Sequence, residues 1–151
     1  MSSNSDKKIG FLLERTTRIA KLSFTKAFKK LGVDITPEQW IVLDKLDVKK
    51  EMSQKEIGNE SFKNAPTISR IIDNLVRKGY VSRVSEESDR RKTVISLTTD
   101  GKTLVDQCRE EVDALRALSW NNLSDRDYAE FNRIIDQVFE NFESYDGTME
   151  N

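Results

Sequence analysis

The 151 residues predict a mainly α-helical fold interrupted once, shortly past the midpoint, by a small β-hairpin. Three observations predict it. Apolar residues recur at spacings of three and four in five separate stretches, the mark of helices with one buried face. Those stretches open on capping residues or close on glycine. Only between Tyr80 and Leu97 does the pattern change to short β-branched runs, as strands require.

The first helix is expected over 8–31. Leu12, Thr16, Ile19, Ala20, Phe24, Ala27, Phe28 and Leu31 follow the helical period, and Gly32 closes it. The second starts at Thr36-Pro37-Glu38-Gln39, where Thr36 caps and Gln39 can reach back to it. Trp40, Leu43 and Leu46 form its stripe. A short third helix opens on Ser53-Gln54-Lys55-Glu56 and ends near Phe62. The fourth runs from about Asn64 to Lys78, with Ile68, Ile71, Ile72, Leu75 and Val76 on one face and Gly79 as its stop. Tyr80–Val84 and Thr93–Leu97 read as strands, leaving an eight-residue polar loop from Ser85 to Lys92. Thr98 caps a fifth helix reaching about Trp120. Ser124 opens a sixth, striped by Tyr128, Phe131, Ile134, Ile135, Val138, Phe139 and Phe142.

Composition narrows the function. The length suits one domain, 1–151, with its own core. A single cysteine excludes an intrachain disulfide and favours a reducing, cytoplasmic setting. Neither a signal peptide nor a stretch long enough to span a membrane is legible. There is no histidine, which removes the usual general base and the commonest metal ligand. No phosphate-cradling glycine loop or metal-ligand spacing replaces it, so neither an enzyme nor a cofactor is expected. Cys108 sits on the apolar stripe of the fifth helix and reads as core.

Net charge is −1, but its distribution is uneven. Residues 1–52 carry +4, residues 53–99 carry +3 and residues 100–151 carry −8. The first two thirds can face phosphates and the last third cannot.

The short third helix, the tight connection and the fourth helix form a helix-turn-helix, whose second helix enters the DNA major groove. Ser53, Gln54 and Lys55 open its first helix. Lys63 and Asn64 precede the second, and Thr67, Ser69, Arg70, Asn74 and Arg77 line its polar face. Arg is the side chain that pairs bidentately with guanine. An ordinary solvated amphipathic helix would look much the same. Asp89-Arg90-Arg91-Lys92 decides between them. Three consecutive cations on a hairpin behind such a motif suit a minor groove, with Asp89 holding a neighbouring Arg. The hairpin is then a wing, and the fold class becomes a winged helix-turn-helix lobe over 36–98.

Here the sequence resembles the MarR family, the multiple-antibiotic-resistance regulators. The matching residues are Ser53-Gln54-Lys55-Glu56-Ile57, the run from Pro66 to Val81, Asp89-Arg90-Arg91-Lys92, and the run from Val94 to Gly101. The specific motif covers about 53–101, and the helix order covers nearly the whole chain. The family's wing signature, Asp, any residue, then Arg, is met by Asp89-Arg90-Arg91. The acidic Glu86-Glu87 before it departs from the pattern and should weaken phosphate contacts there. The resemblance implies a homodimeric regulator, commonly a repressor, on a pseudo-palindromic operator. It implies that 8–31 with 99–145 forms the dimerisation region, and that a ligand crevice lies between that region and the lobe. Thr67, Ser69 and Arg70 should face bases or nearby phosphates, and Arg91 should enter the minor groove.

The residues themselves also favour a dimer. Phe11 on the first helix, with Tyr128, Phe131, Ile135, Val138, Phe139 and Phe142 on the last, is more apolar surface than one small lobe needs. Phe24, Phe28 and Trp40 fall near the expected crevice and could line a pocket for a small aromatic or phenolic effector. Trp40 reads equally as core. A winged helix used for protein contact, or a DNA binder without an effector, stays open on these residues alone.

Overall fold

The computed structural model describes residues 3–61, 63–86 and 89–145; the side chains of residues 86–91 lie outside that description. A 3-10 turn at Asn4–Asp6 precedes nine elements: α1 (Gly10–Lys30), α2 (Pro37–Lys49), β1 (Glu51–Ser53), α3 (Gln54–Ser61), α4 (Ala65–Arg77), β2 (Val81–Glu86), β3 (Asp89–Leu97), α5 (Thr99–Ser119) and α6 (Asp125–Glu143). The fold is mainly α with one small antiparallel sheet, ordered β1-β3-β2.

Local hydrogen bonds explain the helix starts. Gln39 donates its backbone N–H to Thr36 Oγ1 at 3.1 Å, and the Thr36 N–H returns to Gln39 Oε1 at 3.1 Å. Asn64 Oδ1 accepts from the Thr67 N–H at 2.9 Å, and the Ser124–Asp127 pair repeats the reciprocal box. Each such cap satisfies N–H groups that a helix leaves without partners and is worth about 1 kcal/mol. Gly32 and Gly79 take φ of 71° and 81° behind α1 and α4, a conformation that glycine adopts freely.

The chain divides into two compact units, Met1–Asp113 and Ala114–Asn151. The first holds the core. Ile68, Ile71, Ile72 and Leu75 of α4 are buried with Trp40, Val42, Leu43 and Leu46 of α2, Ile57 of α3, and Val81 and Ile95 of the sheet. Leu104, Val105, Cys108 and Val112 of α5 join them. Removing each from water stabilises the fold by about 1.5–3 kcal/mol at most. Thr98 Oγ1 donates to the Gly79 carbonyl at 2.6 Å and accepts from the Gly101 N–H at 3.0 Å, so it joins the end of α4 to the start of α5. Gly101 has no alternative there: a Cβ would lie 2.0 Å from the Tyr80 carbonyl oxygen.

In the second unit, α6 carries no buried residue. Trp120 meets Tyr128 and Phe131 edge-on, at ring-centroid distances of 4.7 and 5.6 Å. Tyr128, Phe131, Ile134, Phe139 and Phe142 are all exposed, and Ile135 and Val138 are half-buried.

Two expectations are corrected. The sheet has a third strand, β1, which pairs Glu51, Met52 and Ser53 with Ser96, Ile95 and Val94. Three residues carry no alternation to read; β1 exists because β3 offers it a ladder and Met52 gains a place in the core. Nor is Ser85–Lys92 an eight-residue loop. Ser85 and Glu86 extend β2, and Asp89 to Lys92 begin β3, with Glu86 opposite Asp89 and an irregularity beside Ser85. Once Val81↔Leu97 and Arg83↔Ile95 set the register, the backbone ladder continues past the core. Strands that project into solvent need no apolar residues to do so. Glu87 and Ser88 lie outside the described residues.

Candidate nucleic-acid interface

The site is built on α3, α4 and the β2–β3 hairpin. The strong one-sidedness of α4 orients it: four Ile and Leu side chains point inward, so its remaining side chains must point out. Asn64 and Arg70 are exposed, and Thr67 and Ser69 are half-buried. Farther along, Arg77 Nη1 donates to Asn74 Oδ1 at 2.9 Å. Asn64 serves as the cap, so its side-chain carbonyl oxygen is already engaged.

Ser53, Gln54 and Lys55 stand at the junction of β1 and α3, where Ser53 Oγ accepts from the Glu56 N–H at 3.1 Å. A cleft of about 850 Å³ opens beside them. Lys55 from α3, Lys63 from the turn before α4, and Lys92 from β3 all line it. Glu51 and Glu56 line it as well, so three cations and two carboxylates meet at the cleft. The backbone of Asp89, Arg90 and Arg91 lies in β3, and their side chains fall outside the described set.

The cations from α2 to β3 divide into two groups. Lys45 and Lys49 pair with Glu60, Lys78 with Asp34, and Arg83 with Asp73. Lys50 Nζ binds the Asp47 carbonyl and Arg77 binds Asn74, both neutral groups that leave the cation's charge in place. Lys55, Lys63, Arg70 and Lys92 form no ion pair with a carboxylate among the described residues, although the Lys63 charge is felt by the Glu38 carboxyl. A cation left unpaired keeps its full charge for an outside anion.

Sequence reasoning missed the Arg83–Asp73 ion pair, 2.7 Å long, which links the wing to α4. Both residues lie on polar faces, but nothing local says that they meet; packing of β2 on α4 brings them together. It also missed the network that joins α2 to α5. Arg109 donates to Asp44 at 2.7 Å and to Asp47 at 3.1 Å, and Lys102 donates to Asp47 at 2.7 Å. The Lys102 ammonium, hydrogen-bonded to Asp47, holds that carboxyl below its ordinary range. Asp44 beside Arg109 holds the guanidinium above its own.

Phe28 and Trp40, expected near a crevice, sit in the core at 1% and 3% exposure. Their rings are 5.8 Å apart, and Phe24 packs against Phe28 at 6.2 Å. The Arg109 guanidinium lies over the Trp40 ring at 5.4 Å. Trp40 Nε1 is buried without a hydrogen-bond acceptor. Cys108 is fully buried, and burial pushes its thiol up, away from the reactive thiolate.

Comparison with known proteins agrees with this geometry. Residues 33–92 match the sequence model of the MarR family. The HTH-type transcriptional regulator SarZ of Staphylococcus aureus is 27% identical over 146 residues, covering 96% of each chain. A MarR mutant from E. coli, solved in complex with operator DNA, superposes with a TM-score of 0.76 and 25% identity, over 85% of this chain and 91% of that one. The MepR–DNA complex from S. aureus shares the fold, with a TM-score of 0.81 and 23% identity over 89% and 98%. By its matched segment, its fold and its full-length relatives, the chain is similar to regulators of the MarR family.

Proposed function

We propose that this regulator binds double-stranded DNA sequence-specifically as a homodimer and acts as a repressor. The observation that carries the reading is the set of cations, Lys55, Lys63, Arg70 and Lys92, that form no ion pair among the described residues of the helix-turn-helix and wing, where Lys45, Lys49, Lys78 and Arg83 are paired with acids. α4 lies in the major groove with Thr67, Ser69 and Arg70 toward the bases, and the wing follows the backbone into the minor groove with Arg91. Dimerisation is supported by charge as well as apolarity. α1 carries one acid and six bases, a net of +5, whereas α6 carries six acids and two bases, a net of −4. α1 of one copy and α6 of the other are thus complementary, and their exposed Phe11, Phe139 and Phe142 lose water on pairing. A two-fold dimer reads a pseudo-palindrome with half-sites about 10 bp apart.

A small aromatic effector that releases DNA is a second element of the reading. It rests on the family resemblance, since Phe28 and Trp40 themselves are core residues.

The test is a salt titration of DNA binding. Lys92→Ala should lower the slope of log affinity against log salt by about 0.9 and weaken all sequences alike. Arg91→Ala should also erase preference for A·T-rich flanks. Unchanged slopes in both variants, with the fold intact by circular dichroism, would turn the reading toward a winged helix that contacts protein.

A further inference from the structure

α4 carries a single carboxylate, Asp73, and it is exposed. Arg70 stands three residues before it and Arg77 four residues after, so each lies one helical turn away on the same side of the helix. An Asp so placed has two partners within its own helix, and acid before base at a spacing of four is the favoured order. Neither is used. Asp73 Oδ1 accepts from Arg83 Nη2 of β2 at 2.7 Å. Arg77 Nη1 donates to the neutral Asn74 Oδ1 at 2.9 Å, and Arg70 forms no ion pair among the described residues.

The sheet places Arg83 for this contact. It follows the buried Val81 by two residues and stands opposite the buried Ile95, so its side chain leaves β2 on the face turned toward the lobe. Alternation calls for an apolar residue there, and a cation stands instead. Both partners keep contact with water, at 34% exposure for the Arg83 side chain and 48% for that of Asp73. A pair so exposed adds little to stability. Its larger effect is on the charges around it. Without Arg83, the Asp73 carboxylate would repel DNA phosphates and would hold Arg70 or Arg77 along the helix surface.

We propose that Arg83 is a positioning residue for DNA recognition: by taking up Asp73, it leaves Arg70 and Arg77 free to meet the duplex. The inference rests on the DNA-binding reading. Arg83 acts through Asp73 and touches no base itself. The wing thereby serves the recognition helix from its root as well as from its tip.

The test is operator affinity by fluorescence anisotropy for the full chain, Arg83→Gln, Asp73→Asn and the double variant. Each is measured on the selected operator and on one altered at the base pair where Arg70→Ala loses discrimination. Arg83→Gln should weaken operator binding about threefold, the scale of an exposed ion pair, and should shrink discrimination at that base pair. Asp73→Asn should bind and discriminate at least as well as the parent. The double variant should regain the discrimination that Arg83→Gln loses, a non-additive result. Arg83→Lys, which keeps the charge, should behave like the parent. Equal weakening on both DNAs would reduce Arg83 to a general charge, and equal losses in Asp73→Asn and Arg83→Gln would reduce the pair to a strut; either overturns the proposal. Nitrogen-15 NMR of the guanidinium groups without DNA separates the two readings. In Arg83→Gln, Arg70 or Arg77 should acquire the slowed guanidinium rotation that Arg83 shows in the parent. No such change overturns the proposal. That change in a protein that binds no DNA would support the choice of partner by Asp73 and sink the DNA reading instead.

Discussion

Helices α4 and α6 are both amphipathic, yet they end in opposite states. α4 buries Ile68, Ile71, Ile72 and Leu75 within 13 residues, against α2, α3 and the sheet. α6 has 19 residues and a stripe of three Phe, one Tyr and three aliphatic side chains, and buries none of them. The same periodic signal therefore has two meanings. An apolar face covered by its own chain builds the core. One left open over five turns is the surface that the proposed second copy would cover, because apolar area of that extent is costly in water. The two helices also differ in charge: the outward face of α4 carries Arg70 and Arg77, while α6 is acidic. One is suited to phosphates and the other to a basic protein surface.

Substitutions on the two stripes should separate these roles. The largest effect is expected on α4. Ile72→Ala removes a fully buried side chain and should cost about 2–5 kcal/mol, read as a lower denaturation midpoint. If the same loss appeared only at low protein concentration, α4 would be stabilised by the dimer rather than by its own lobe.

On α6 the effect should depend on concentration. Phe139→Asp places a charge in the proposed interface, so the species in analytical ultracentrifugation should fall from about twice 17.4 kDa to 17.4 kDa. The α-helical circular dichroism of the first unit should persist. A wild-type protein that sediments at 17.4 kDa at micromolar concentration would refute the covered-stripe account.

The smallest effect concerns the clamp that holds α5 to α2. Asp47 has its carboxyl lowered chiefly by the Lys102 hydrogen bond. Its folded pKa lies below its unfolded one, so its contribution is present above the ordinary carboxylate value of about 3.9 and is lost as pH falls through the folded value. Denaturant midpoints measured from pH 7 down to pH 3 should fall less steeply for Asp47→Asn than for the parent. Parallel curves would show that the clamp adds no pH-dependent stability.

Much of this molecule is readable along the chain because the forces involved are local. The boxes at Thr36–Gln39 and Ser124–Asp127, the Asn64 cap and the stops at Gly32 and Gly79 act over three or four residues, so residue type and spacing suffice. The helix-turn-helix, its polar face and the cationic run 89–92 follow for the same reason. Other features needed the fold. β1 exists only through its ladder to β3, about 43 residues on in the Met52↔Ile95 pair. The strands of the wing run through charged residues because register, set at Val81↔Leu97, outweighs side-chain preference. The Arg109–Asp44 pair spans 65 positions, and Lys55, Lys63 and Lys92 converge from three elements. Even the burial of Trp40, left open between core and pocket, was decided by where α1 and α5 packed. Hydrogen-bond caps and helical periods are short-range and therefore written in order; ion pairs, ladders and clefts depend on distances in space that chain order does not contain.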